Sequence, residues 1–256
     1  MFPKRICCLT TETAEIVYAL GAGDRVAGIS GFVTRPAEAR KKPVVSSFTS
    51  VRMEKIREVN PDLVITFSDL QAPIAAELVK AGYTVLALNQ RSIAETFEAM
   101  ELVGRVIGEP AKAAGLIADM KTEMASIEKA ASKISRRPRI YFEEWDDPMI
   151  TGIRWVGELI QIAGGEDVFP EMKERKNAPE RVIQPAEVVA RNPEIIFASW
   201  CGKKANLESI KSREGWQRIE AVKKNAVHEI KSPDILSPGP SLLNGLRQMH
   251  EIIKNS

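Results

Sequence analysis

Four carboxylates crowd one tryptophan in the stretch Glu143-Glu144-Trp145-Asp146-Asp147-Pro148. Acids at that density could accept hydrogen bonds from ligand amides, hold a cationic ligand or bind a metal ion. Asp147-Pro148 alone is equally a turn signal. Arg154, two residues after Gly152 at the start of a helical pattern, could pair with one of these acids or contact a carboxylate or phosphate. A second stretch, Ser199-Trp200-Cys201-Gly202-Lys203-Lys204, offers an indole, a thiol and two ammonium groups. The Cys201 thiolate would ligate a metal only with a lowered pKa or partner residues that its sequence context does not supply. Phe32, Phe48 and Phe67, like Trp145 and Trp200, stand in segments that follow apolar runs. With aromatics only 6% of the chain, five at such places suggest aromatic walls for a large, flat ligand. The competing reading makes Phe48 and Phe67 core side chains that cap a sheet.

Other chemistries find less support. His228 lies in a strand pattern and His250 in a helical one, so no Ser/His/Asp set can be nominated and no three residues suggest a fixed metal site. Gly21-Ala22-Gly23-Asp24-Arg25-Val26 lacks a third glycine and precedes a strand, where a dinucleotide fingerprint would follow one. No phosphate-cradling loop occurs. The expectation is therefore a chain without catalytic residues and without a fixed cofactor.

The elements that must position these residues come from a repetition. "VNPDLVITF" (59–67) and "RNPEIIFASW" (191–200) each end a helical pattern at Asn-Pro and pass into an apolar run. Continuous apolar runs indicate strands buried on both faces, as in parallel sheets flanked by helices. Arg5–Leu9, Val26–Ile29, Val44–Val45, Leu63–Ile65 and Thr84–Leu88 supply strands to the first half. Arg139–Glu143, Ile195–Phe197 and Val227–Ile230 supply the second. From Ser92 to Ser132 only helix is predicted, broken at Gly108-Glu109-Pro110. Ile117, Met120, Met124, Ile127, Ala131 and Ile134 form one apolar stripe, too short for a coiled coil. The fold class expected is α/β: two parallel-sheet lobes, 1–91 and 137–256, joined across 92–136 by a long rigid helix, with a ligand cleft between lobes.

Composition agrees with a globular chain of 256 residues, 44% hydrophobic and 27% charged. A net charge of +2, with both signs mixed along the chain, gives no case for nucleic acid or an anionic membrane surface. No run approaches the roughly 18 apolar residues of a membrane span. The apolar run Ile6–Leu9 is too short for a secretory leader, so the chain reads as cytoplasmic as written or extracytoplasmic with a leader removed. Cys7 and Cys8 are read as structural thiols, their side chains on opposite faces of one strand.

Specific segments carry a family likeness. "TTETAEIVYALGAGDRVAGIS", "MEKIREVNPDLVIT", "ITGIRWVGELIQIAGGEDVF" and "SPGPSLLNGLRQMHEII" together resemble the helical-backbone substrate-binding proteins that serve ABC importers of corrinoids, haem and iron chelates. Within that family the pattern is most similar to the vitamin B12-binding proteins. The resemblance implies a monomer that binds a corrinoid such as cobalamin, with an ABC transporter permease as partner. It places Phe48 and Phe67 where such binders use aromatic residues. The ligand-binding residues expected from the segments that follow the strands, with Arg154 at its helix start, are Phe32, Phe48, Phe67, Glu143, Trp145, Asp146, Arg154, Trp200, Cys201 and Lys203. The family's two docking acids fall near Ala72 and Leu236, neither acidic, with Asp69 and Asp234 as the nearest substitutes. Two alternatives remain open: a haem or ferric-chelate binder, although Tyr18, Tyr83 and Tyr141 lie inside predicted elements, and a chelatase-like metal-handling enzyme.

Overall fold

The computed structural model describes residues 2–256. The chain divides into two compact units, one holding the chain up to Gln90 with Ala94–Met120 and Pro238–Pro240, the other Arg91–Ile93, Lys121–Ser237 and Ser241–Ser256.

The first unit begins β1 (Ile6–Cys8), α1 (Thr11–Ala19), β2 (Val26–Ser30) and β3 (Val44–Ser46), and continues α2 (Met53–Val59), β4 (Leu63–Phe67), α3 (Ala72–Lys80) and β5 (Val85–Leu88). The strands order β3-β2-β1-β4-β5, every neighbouring pair parallel. The apolar runs of β1 and β4 are the reason: both are buried along their whole length, which only a sheet covered on two faces allows. Cys7, Leu9, Val45, Ile56, Val59, Val64, Ile74 and Leu78 pack one core cluster. Gly28 is required where β2 crosses it, since a Cβ there would stand 2.7 Å from Val45 and 2.9 Å from the Cys7 sulfur.

Two helices follow, α4 (Ile93–Ile107) and α5 (Pro110–Ala131), separated at the predicted Gly-Glu-Pro break. Gly108 takes φ +80° there, a left-handed conformation that ends α4 without strain. At 1.5 Å per residue, α5 is about 33 Å long, and Met120, Met124 and Ala131 of its stripe are buried. Its residues are shared between the units, changing at Met120/Lys121.

The second unit runs β6 (Arg139–Asp146), β7 (Met149–Thr151), α6 (Arg154–Ala163), β8 (Glu166–Asp167), α7 (Pro185–Arg191) and β9 (Ile195–Ala198). It closes with α8 (Leu207–Lys211), α9 (Glu220–Lys223), β10 (Val227–Glu229), α10 (Ser232–Ile235) and α11 (Leu242–Lys254). The strand order is β10-β9-β6-β7, with β8 also on β6. This sheet is mixed rather than wholly parallel, because β7 turns back antiparallel on β6. The acid-rich stretch is accordingly a strand end and hairpin, not a loop. A register shift between Glu143 and Trp145 marks a bulge, of the kind that re-aims side chains at a functional edge. Among the described residues no helix is long and apolar enough to cross a membrane.

Candidate functional site

In parallel α/β sheets ligands gather at the carboxyl ends of the strands. In the first unit that edge is built by Leu9-Thr10, Ser30–Phe32, Ser46–Phe48 and Phe67-Ser68. Gln71, fully buried, ties three of these segments together: its amide donates to the carbonyls of Leu9 (3.1 Å) and Phe48 (2.8 Å), and its oxygen accepts from the Phe67 amide at 3.1 Å. Phe32 is 46% exposed, its carbonyl held by the Thr11 hydroxyl at 3.2 Å. Phe48 is partly exposed, whereas Phe67 is 6% exposed. Phe67 is thus a side chain of the interior whose backbone, through Gln71, fixes the position of Phe48. Below this edge Glu12 is buried in the first turn of α1, with Thr10 donating to its carboxylate. Burial pushes the Glu12 carboxyl up to about 7, the Thr10 hydrogen bond opposing.

The carboxyl edge of the second unit is a set of charge pairs around two indoles. Glu143 is fully buried and bound by both terminal nitrogens of Arg213, one at 2.9 Å. The Trp200 indole N–H and the Tyr141 hydroxyl each donate to it at 3.1 Å. Tyr141 is pushed well above its ordinary range by burial, with the neighbouring carboxylate adding to the shift. On the opposite face of the strand, Glu144 accepts a two-pronged contact from buried Arg181, at 2.7 and 2.9 Å, and caps the Ile153 amide at 3.1 Å. Asp146 accepts from Lys203 at 2.7 Å. The Lys203 ammonium lies 4.2 Å from the Trp145 ring centroid and 4.7 Å from that of Trp200.

Of the four acids between 143 and 147, three therefore hold a cation of the chain itself. Glu143 and Glu144 serve the fold: each charge is matched by an arginine that sequence order does not announce. Glu143 and Trp200, the latter 3% exposed, are interior groups; Trp145 and Asp146 are partly exposed, and Asp147 and Pro148 are exposed. Arg154 pairs with Glu158 one helical turn on, at 2.8 Å. It lines a cavity of about 200 Å³ with Gly157, Glu158, Asp167 and Lys173. Cys201 is exposed in the turn after Trp200, and Cys7 and Cys8 are buried. Burial lowers the His228 pKa; His250 Nδ1 lies 3.0 Å from the Ala163 carbonyl. Asp69 is exposed, but Asp234 is 7% exposed and accepts from Gln248 at 3.1 Å. An acid so enclosed lacks the surface position that docking demands, which corrects the expectation for Asp234. Among the described residues no group of three or more His, Cys, Asp or Glu side chains is placed to hold a metal ion.

Two α/β units, each with aromatic and charged side chains at its strand ends and a long helix divided between them, define a binding-protein architecture. The chain belongs to the periplasmic binding protein family, whose profile matches residues 6–233. An uncharacterized ABC transporter substrate-binding lipoprotein, YvrC of Bacillus subtilis, is 31% identical over 98% of this chain and 80% of its own length. A vitamin B12-binding protein of Vibrio parahaemolyticus is 25% identical over 97% of this chain and 88% of its own. The periplasmic heme-binding protein RhuT from Roseiflexus superposes with a TM-score of 0.85 at 22% identity, covering 98% of both chains.

Proposed function

We propose that this chain is the substrate-binding protein of an ABC importer, working outside the cytoplasm, and that its cargo is a corrinoid. It binds and delivers; it performs no chemistry on the cargo. The observation that carries the reading is the placement of aromatic side chains with exposed area at strand carboxyl ends in each unit: Phe32 and Phe48 in one, and in the other Trp145, partly exposed with Lys203 over its face. A corrin ring is broad and flat and keeps its metal within the ring, so it needs aromatic area and amide-bonding acids more than a protein metal site. Near full-length similarity to a vitamin B12-binding protein supports the same cargo. Exposed Asp69 is the acid we assign to permease contact on the first unit.

Titration of the purified protein with cyanocobalamin, followed by tryptophan fluorescence corrected for ligand absorbance, tests the cargo. Saturable quenching at submicromolar ligand is expected, weakened at least about tenfold in W145A, as loss of an aromatic anchor of 1.4 kcal/mol or more would give. Saturation by haemin or a ferric chelate but not by cyanocobalamin would overturn the cargo and leave the binding-protein class standing.

A further inference from the structure

Lys203 is placed as a bound ammonium ion would be. Its nitrogen stands over two indole faces, at 4.2 Å from the Trp145 centroid and 4.7 Å from the Trp200 centroid, and 2.7 Å from the Asp146 carboxylate. Two aromatic faces and one carboxylate are how proteins recognise alkylammonium groups. Both rings are fixed by their edges: Trp145 donates its N–H to the Asp147 carbonyl at 2.9 Å, and Trp200 donates to buried Glu143 at 3.1 Å. With the N–H groups engaged and both indoles packed on the core of the unit, the face beneath Lys203 is what each ring has left to offer. Local charge points the same way. Arg213 neutralises Glu143, so without Lys203 the uncompensated charge at the rings is that of Asp146. The lysine itself is on a short tether, a turn at Cys201-Gly202 with Gly202 at φ +74°, and its side chain is 42% exposed.

We propose that Trp145, Trp200 and Asp146 form a subsite for an alkylammonium group, primary or quaternary, and that Lys203 fills it in the free protein as a tethered occupant. A ligand or partner bearing such a group takes the subsite by displacing the lysine. The proposal does not depend on the cargo named above, since no part of it uses a flat ring. A tethered competitor raises the concentration a free cation must reach, by its high effective concentration at the site.

The test is titration of wild type and K203A with tetramethylammonium chloride and n-butylammonium chloride, read by tryptophan fluorescence, with sodium chloride at equal ionic strength as reference. K203A is expected to respond saturably to both ammonium salts, with half-saturation at least about fivefold below that of wild type. The double variant W145A/K203A is expected to lose the response. Equal responses to sodium and ammonium salts, or a K203A no more sensitive than wild type, would overturn the subsite. In wild type, acetylation mapped by mass spectrometry should modify Lys203 more slowly than Lys204, and tetramethylammonium should speed Lys203 selectively. Equal rates for the two lysines, unchanged by the salt, would show that Lys203 does not occupy the rings.

Discussion

Glu12 carries its carboxyl into the interior of the first unit, where burial raises its pKa from an ordinary 4.5 to about 7. The charged form is the one the fold disfavours. In the unfolded chain the group titrates near 4.5, so between pH 4.5 and 7 the unfolded state gives up a proton that the folded state keeps. Stability is full below that window, declines as pH rises through it, and is lost to its limit above about 7. E12Q keeps the Thr10 contact and removes the titration. We expect E12Q to match wild type at pH 4 and to exceed it at pH 8 by about 3 kcal/mol, read from urea midpoints. A wild type that keeps pace with E12Q across this range would show the carboxyl to be solvated. Residues at this scale were unevenly legible. Phe32 and Trp145 stand out in the sequence as aromatics after apolar runs. Arg213 and Arg181 do not, because their carboxylates lie 70 and 37 positions away and only the tertiary fold brings each pair together. Gln71 is equally silent: its burial follows from the convergence of three strand ends, not from any local pattern.

The twice-used Asn-Pro unit is an element-scale device. Asn60 after α2 and Asn192 after α7 take φ +42° and +45°, the left-handed turn that ends a helix, and the proline that follows prevents its continuation. The two asparagines nevertheless differ in what the side chain does. Asn192 Oδ1 accepts the Glu220 amide at 2.9 Å, fixing the start of α9, whereas the Asn60 side chain makes no such bond among the described residues. Glycine relieves the left-handed strain at either place but deletes the side-chain bond at one. N60G should stay within about 0.5 kcal/mol of wild type, while N192G should lose about 1 kcal/mol in urea denaturation. The reverse order would mean that the Glu220 contact adds nothing. Such units are legible because a buried parallel strand must be apolar on both faces and a proline must stop the helix before it. The hairpin β6–β7 was not legible, since a three-residue antiparallel strand after Asp147-Pro148 carries no alternation to read. Its bulge at Glu143/Trp145 sends adjacent acids to different partners, which a charge count along the chain cannot distinguish.

At the scale of the whole molecule, each unit has its own sheet and its own buried cluster, so each has the means to unfold as its own cooperative step. The sequence happens to distribute its reporters accordingly. All four tryptophans, Trp145, Trp155, Trp200 and Trp216, fall in the second unit. The buried thiols Cys7 and Cys8 lie in β1 of the first. Burial pushes the Cys7 thiol up to about 12 and Cys8 higher still, so neither offers an appreciable thiolate until β1 opens. Cys201 is exposed and should react at once. In a urea series probed with an aromatic disulfide reagent, we expect one fast thiol at every concentration and two that become reactive together. The midpoint of that pair should differ from the midpoint of tryptophan fluorescence. Far-UV circular dichroism, which reads both units, should then span the two transitions. Coincident midpoints for thiols, fluorescence and dichroism would instead make the chain a single cooperative body. In that case a substitution in one unit, E12Q for example, would shift the fluorescence of tryptophans in the other as far as it shifts the thiols. Under independent unfolding it would move the thiol midpoint alone.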